Sequence, residues 1–203
     1  MDPVSDFKKE VKDNICGLSK DEDFKKQSLA WNIASADHHY TYNFKSLGRP
    51  IIQFPQDVMA LHEIIWQVKP DLIIETGIAH GGSLVSNASV LALLEYAEAQ
   101  QNSLMIDPSK PKRKVLGIDI DIRKHNRQAL ESHPLFPHID LIEGSSIEQT
   151  IIDKVIAYSK NFTRILVCLD SNHTHEHVLS ELQAYAPLVS MGSYCVVSDT
   201  IVE

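Results

Sequence analysis

The chain has 203 residues, 43% of them hydrophobic and 23% charged, which fits one globular domain with an ample core, and we expect no second large domain. The formal net charge of −8 excludes a nucleic-acid scaffold, because such a surface needs basic residues to neutralise phosphates. No apolar run is long enough to cross a membrane and no secretion signal opens the sequence, so we expect a cytoplasmic protein without a membrane span.

Residues 1–56 are predicted to form an N-terminal helical cap and a substrate-side loop. Helices are expected near residues 7–18 and from about residue 21 or 23 to residue 33, where acidic residues suit the first turn. Residues 37–55 are polar, aromatic and too irregular for a long helix, so we interpret them as a loop that folds over another part of the molecule. Asp57 is then expected to cap a helix at residues 58–68.

Apolar strands alternate with helices through the rest of the chain, and we assign residues 57–203 to one domain. Strands are predicted at residues 72–75, 115–120, 139–143, 164–170 and 193–199, and helices at 83–99, 123–131, 147–159 and 174–186. This order is typical of an α/β fold with a mostly parallel sheet and helices on both faces. The sequence ends directly after a strand expected near the sheet's centre, so we expect the last strands of the fold to be absent from this chain.

The three cysteines of the sequence show no metal-binding or redox spacing. Cys16, Cys168 and Cys195 are scattered without a CxxC pair, and two of them lie inside apolar runs. We expect buried thiols in a reducing compartment.

The segment DLIIETGIAHGGS at residues 71–83 predicts a cradle for a nucleotide-like cofactor. An apolar strand leads into Glu75 and a turn that contains Gly77, and a helix follows. Glycine permits positive φ angles and close backbone approach, and the helix start supplies free N–H groups. An acidic residue on the turn suits an ammonium group better than a pyrophosphate, which favours S-adenosylmethionine (SAM). The alternative is an ordinary βα turn that uses glycine for geometry only.

Further polar residues follow the next two strands, at the edge of the sheet where open α/β folds bind ligands. Asp119 stands where a carboxylate can accept both hydroxyls of a ribose. Ser145 or Ser146 could hydrogen-bond an adenine edge, and a helix N-cap explains Ser146 equally well.

Two carboxylates, Asp170 and Asp199, follow the last two predicted strands. Brought close together they would repel each other unless a hard divalent cation lies between them, so the pair predicts a magnesium-type site. The alternative is that one carboxylate caps a helix or holds the SAM ammonium. His173 is a candidate general base or, alternatively, a solvated histidine at a helix start. The run HTHEH lacks HExxH spacing, so we do not assign zinc to it.

The strings YNFKSLGRPIIQFPQD, IIETGIAHGGS, VLGIDIDIR, IEGSS, LDSNHTHEHV and VVSDT resemble the cephalosporin hydroxylase (CmcI-like) and rhamnosyl O-methyltransferase family. The resemblance covers most of the chain from about Tyr40 onward. It implies a Rossmann-like SAM-dependent methyltransferase fold and a metal site like that of catechol-type O-methyltransferases.

Carried over to this sequence, the resemblance also implies roles for single residues. The residues implied around the methionine part of SAM, the ribose and the adenine are Glu75, Gly77, Ser83, Asp119 and Ser146. Asp170 and Asp199 are implied at the metal, with Asp170 between metal and cofactor. The chain departs from the family pattern at Ser198 and Thr200, where a further acidic or amide ligand is often found, which implies a low metal affinity.

These observations favour a SAM-dependent, metal-assisted O-methyltransferase that acts on a hydroxylated small molecule, such as a sugar, a glycolipid or a natural-product intermediate. Asp170 and His173 are its predicted catalytic residues, and we expect a homo-oligomer. One alternative is an oxidative tailoring enzyme of the cephalosporin-hydroxylase type, although the sequence shows no two-His, one-carboxylate iron pattern. Another is a SAM-binding protein without catalysis.

Overall fold

The computed structural model describes residues 2–200 of the chain, which forms two compact units, Met1–Asn43 and Phe44–Glu203. The first unit contains helices α1 (Pro3–Lys20) and α2 (Glu22–Ala36) and a 3-10 turn at Tyr40–Asn43. The side chains of Asp2 and Asp21 accept backbone N–H groups and cap the two helices. Both predicted helices are therefore confirmed, and both are longer than predicted.

The second unit begins with a β-hairpin where the sequence predicted a loop. Strands β1 (Phe44–Ser46) and β2 (Arg49–Ile51) pair antiparallel. The two residues between them, Leu47 and Gly48, have φ angles of 46° and 90°, which suit the twist of a tight hairpin. Three-residue strands are too short to show an alternating pattern, so the prediction missed them.

Helix α3 (Pro55–Val68) corrects the prediction at its first turn. Its N-cap is Phe54, and Asp57 lies inside the first turn rather than at the cap. Proline is favoured at the first helical position because its missing N–H has no helical partner there. The residue that follows the helix, Lys69, is its C-cap and has the left-handed conformation typical of a helix end.

Five strands form one sheet in the order β5-β4-β3-β6-β7, and every pairing in it is parallel. The strands are β3 (Leu72–Thr76), β4 (Lys114–Asp119), β5 (Ile139–Glu143), β6 (Ile165–Leu169) and β7 (Cys195–Val197). The helices between them are α4 (Gly82–Asn102), α5 (Lys124–Glu131), α6 (Gln149–Ser159) and α7 (His175–Tyr185). The predicted α/β class and every predicted strand are confirmed.

The sheet separates two hydrophobic clusters, because successive side chains of a strand point to opposite faces. In β3, Ile73 packs with α3, α4 and α5, whereas Leu72 and Ile74 pack with α6 and α7. Cys168 is buried as predicted and Cys195 is partly buried, but Cys16 on α1 is exposed, contrary to the prediction.

No helix among residues 2–200 is long and apolar enough to span a membrane. The chain order runs outward from β3 toward β4 and β5 on one side and toward β6 and β7 on the other. Such a reversal opens a crevice at the carboxyl ends of the strands, which is where ligands of open α/β sheets bind.

Candidate functional site

The loop after β3 meets the loop after β6 at backbone level. Gly77 has φ +77°, and a Cβ atom built on it would lie 2.0 Å from the carbonyl oxygen of Asp170 and 2.6 Å from Cα of Ser171. The Gly77 N–H donates to the carbonyl of Ile118 at 2.8 Å. Only glycine fits this position. The close approach to Asp170 and the hydrogen bond to Ile118 fix the predicted cofactor loop against β6 and β4.

Asp119 holds the same loop from the end of β4. Its Oδ2 accepts the backbone N–H groups of Ile78 at 2.9 Å and Ala79 at 3.3 Å, and its Oδ1 accepts the N–H of Asp121 at 3.1 Å. The sequence placed Asp119 correctly at the strand end, and its contacts with the loop amides are an additional role that the sequence did not indicate.

Arg49 and Asn126 also hold this loop, and neither was predicted. The Arg49 guanidinium donates to the His80 carbonyl at 2.6 Å and to Oδ1 of Asn126 at 3.0 Å. The Asn126 amide donates to the Ala79 carbonyl at 3.0 Å. These residues come from β2 and α5, far from the loop in sequence, so no local pattern could have identified them.

Glu75 lies within β3 and not on the turn, which corrects the sequence analysis. It is 2% exposed, its Oε2 accepts the Asn87 amide at 2.8 Å, and its Oε1 accepts the Ser83 hydroxyl. Burial raises the pKa of Glu75 to about 7, although the two hydrogen bonds oppose that rise. The assignments of Glu75 and Ser83 to the methionine part of SAM remain predictions.

Because its pKa is raised, ionisation of the buried Glu75 carboxyl destabilises the folded chain as pH rises. Its contribution to stability is fully present below its unfolded pKa near 4.5 and is lost as pH rises through about 7. Between pH 4.5 and pH 8 the unchanged chain should lose on the order of 3 kcal/mol of its free energy of unfolding through Glu75. The Glu75→Gln variant should not show this loss. Urea unfolding at several pH values measures this difference. The exposed Glu63→Gln is the matched control, and equal pH profiles for all three proteins would contradict the prediction.

A cavity of about 300 Å³, here called the strand-end cavity, lies beside these loops. The residues that line it are Gly77, Ile118, Asp119, Ile120, Ser145, Ser146, Ser171, Asn172 and His177. Three of the predicted cofactor residues thus face one space. Glu75 and Ser83 are not among the lining residues; Glu75 is buried, and the two side chains are hydrogen-bonded to each other.

Ser146 is 6% exposed and is fixed from two directions. Its hydroxyl lies 3.1 Å from Nε2 of His177, and its carbonyl accepts the hydroxyl of the fully buried Tyr185. Sequence analysis considered His177 only within the rejected zinc run. The signal that could have found it is its position in the first turn of the helix that follows β6.

Asp170, His173 and Asp199 form a cluster at the ends of β6 and β7. One ligand atom from each lies within 4.8 Å of the others, and Nε2 of His173 is 3.2 Å from Oδ2 of Asp199. The structure thus brings the two predicted metal carboxylates and the predicted base together. In the described part of the chain, His175 and His177 do not belong to this cluster.

Asp170 is a partly buried member of the cluster. Burial, with the nearby charge of Asp199, raises its pKa to about 6, while hydrogen bonds from Gln53 and Ser198 lower it. Gln53 donates to Oδ2 at 3.1 Å and was not predicted, although it lies within the string IIQFPQD. Two crowded carboxylates and one imidazole are a donor set that fits a hard divalent cation. The set does not match the two-His, one-carboxylate iron pattern.

A second cavity of about 570 Å³, here called the α7 cavity, opens next to this cluster. Its lining combines polar groups with an apolar wall from α7 and β7: His173, Thr174, His175, Val178, Leu179, Leu182, Val197, Ser198, Asp199 and Thr200. A ligand with both polar and apolar parts suits such a surface.

Residues 38–203 match a family model described as Rhamnosyl O-methyltransferase/CmcI. Two curated relatives are the rhamnosyl O-methyltransferases of Mycobacterium tuberculosis and Mycobacterium leprae, each 28% identical, over 145 and 155 residues. These alignments cover 71% and 76% of this chain and 51% and 59% of the relatives. The chain therefore spans little more than half their length.

Two solved structures share the fold. The TDP-rhamnose 3′-O-methyltransferase of calicheamicin biosynthesis has a TM-score of 0.54 and 20% identity, with 71% of this chain and 62% of that chain covered. A CmcI structure with Mg and SAM has a TM-score of 0.54 and 17% identity, with 79% and 59% covered. Both likenesses show that this chain shares the Rossmann-like fold of those proteins.

Proposed function

Because this chain belongs to the Rhamnosyl O-methyltransferase/CmcI family, we propose that it transfers a methyl group from SAM to a hydroxyl of a small molecule, most specifically a sugar hydroxyl. The family relation supports the reaction class, and the relatives named for rhamnosyl substrates support the sugar. The observation that carries the proposal is the contact between Gly77 and Asp170, which places the strand-end cavity directly beside the carboxylate cluster.

We assign the strand-end cavity to the adenosine part of SAM. Asp119 would accept the ribose hydroxyls and Ser146 would lie beside the adenine. Asp119 already binds the loop amides through Oδ2, and a carboxylate has enough lone pairs to accept ribose hydroxyls as well. The α7 cavity is our candidate for the acceptor, because His173 and Asp199 face it.

The mechanism follows from the carboxylate cluster. Asp170 and Asp199 would hold a divalent cation, which supplies Lewis-acid chemistry that lowers the pKa of a bound hydroxyl. His173 would take the hydroxyl proton at Nδ1 while its Nε2–H donates to the Asp199 carboxylate at 3.2 Å, which would stabilise the resulting imidazolium. The loops that meet at Gly77 would hold donor and acceptor in line, and such positioning is a large part of the rate enhancement in a group transfer.

Product mass tests the function. The chain, or the longer protein if it is a part of one, is incubated with SAM, Mg²⁺ and a set of rhamnosyl glycosides and nucleotide-linked sugars. A gain of one methyl group supports the proposal. A gain of one oxygen would support the oxidative alternative, and no change in any acceptor, with SAM bound, would support a binding protein without catalysis.

Cofactor binding provides a prediction of its own. Asp119→Ala should weaken SAM binding by about 1 to 3 kcal/mol, the usual cost of lost charged hydrogen bonds, as measured by calorimetry. The neighbouring exposed carboxylate gives the matched control, Asp121→Ala, which should bind SAM normally. NAD should not raise the melting temperature of either protein. Unchanged SAM affinity in a folded Asp119→Ala variant would remove the assignment.

A further inference from the structure

We propose that His177 is a positioning residue that directs the hydroxyl hydrogen of Ser146 into the strand-end cavity, as a donor to a ring nitrogen of adenine. This inference rests on the proposed function, since it takes the adenosyl group as the occupant of that cavity. It assigns a role to a partly buried cluster in which Ser146 meets three residues that the proposed function does not use: Ser171, His177 and Glu181.

The cluster centres on one nitrogen atom. Nε2 of His177 lies 3.1 Å from the Ser146 hydroxyl, 3.1 Å from the Ser171 hydroxyl and 3.5 Å from Oε1 of Glu181. The Glu181 side chain is 1% exposed, and its Oε2 has no hydrogen-bond partner among the described residues. Its negative charge is therefore little screened by solvent and acts on the imidazole beside it.

The hydrogen-bond inventory determines which atoms carry the protons. The Ser171 hydroxyl has one hydrogen, and it donates this hydrogen to Oε1 of Glu181 at 2.6 Å. The lone pairs of Ser171 then face Nε2, and so does the carboxylate. An unprotonated Nε2 could accept only from Ser146 and would face two acceptors, the Ser171 oxygen and the Glu181 carboxylate. These two acceptors favour the tautomer with the proton on Nε2, which donates toward the serine oxygens.

This assignment leaves the Ser146 hydrogen available. Because Nε2–H donates to the Ser146 oxygen, the hydroxyl hydrogen of Ser146 does not bond the imidazole and can point to the cavity. Tyr185 holds the Ser146 carbonyl, so the backbone that carries the hydroxyl is fixed as well. The site is then ready to donate to an acceptor nitrogen, and adenine offers such atoms on its ring.

Ring-nitrogen analogues of S-adenosylhomocysteine (SAH) test the inference by calorimetry. The probes are SAH and its 1-deaza, 3-deaza and 7-deaza forms, each of which replaces one acceptor nitrogen by C–H. The unchanged protein should bind one of the three about 10-fold more weakly than SAH, as expected for one hydrogen bond. Ser146→Ala and His177→Leu should each bind SAH about 10-fold more weakly and lose the discrimination. The double variant should be no weaker than Ser146→Ala, because both changes remove the same donor.

Two further variants separate positioning from a merely structural role. His177→Gln keeps an N–H donor at the position of Nε2 and should retain the discrimination among the deaza probes. Glu181→Gln removes the charge that favours the proton on Nε2 and should reduce the discrimination among the deaza probes. Glu176→Gln, which replaces an exposed residue on the same helix, should leave the discrimination unchanged. NMR of the ligand-free protein should find the His177 proton on Nε2.

The outcomes distinguish this inference from the proposed function. If the unchanged protein binds SAH but His177→Leu keeps full discrimination, or if the NMR spectrum places the proton on Nδ1 alone, the role of His177 is wrong and the proposed function stands. If the unchanged protein does not bind SAH, both are wrong.

Discussion

Chelation of divalent cations should lower methyl transfer by at least about 100-fold, because a cation supplies several kcal/mol of charge stabilisation in such a reaction. SAM affinity should change by less than about twofold. The carboxylates that would hold the cation lie after β6 and β7, whereas six of the nine residues that line the strand-end cavity lie at or after the ends of β3, β4 and β5. Turnover and SAM calorimetry, each with and without excess chelator, measure the two effects.

Single variants of the cluster refine this expectation. Asp199→Ala should abolish the metal dependence and leave SAM largely bound, since Asp199 faces the α7 cavity. Asp170→Ala should impair metal and cofactor binding together, because its carboxylate belongs to the cluster and the family resemblance implies a position for it between metal and cofactor. The exposed Asp153→Ala on α6 is the control. Full methyl transfer in excess chelator, or normal turnover by Asp199→Ala, would contradict the metal assignment.

Gly77→Ala should destabilise the second unit by at least about 3 kcal/mol and abolish SAM binding. The added Cβ would lie 2.0 Å from a backbone oxygen that no side-chain rotation can move away, and the left-handed φ of +77° adds conformational strain. Urea unfolding gives the loss of stability, and calorimetry gives the loss of binding.

Gly192 provides a matched control for the steric part of this effect. Its φ is +78°, almost the same as that of Gly77, but a Cβ atom there meets nothing within 4 Å. Gly192→Ala should therefore show only the conformational cost, about 1 to 2 kcal/mol, and should bind SAM normally. Equal destabilisation by the two substitutions would show that the contact with Asp170 is not the cause.

The sheet could be predicted from the sequence because buried parallel strands consist of continuous apolar runs, with helices between them. The sequence also placed Asp170 and Asp199 together, since carboxyl ends of neighbouring parallel strands meet at one edge. The roles of Arg49 and Gln53 were not predicted, because their hydrogen-bond partners lie 31 to 117 positions away in the sequence. No local periodicity records such contacts.

The error at Glu75 has a different origin. An acidic residue next to a glycine looks like a turn residue, but the strand continues through Thr76, and Ser83 and Asn87 supply the donors that allow a carboxylate to be buried. Those donors are spaced four residues apart on α4 and hence face the same side of the helix. That spacing is readable from sequence only once the target of the two side chains is known.

The backbone contact between the loops after β3 and β6 has a consequence for how acceptor choice could change. Because main-chain atoms set the separation of the donor side from the cation side, substitutions elsewhere in the α7 cavity leave that separation as it is. Val178, Leu179 and Leu182 form the apolar wall of that cavity on α7, away from the loop contact. If the proposed methyl transfer is correct, altering these three side chains should redirect the reaction to acceptors of another size and leave the alignment of the methyl group unchanged. Substrate range and reaction geometry could then diverge independently within this fold.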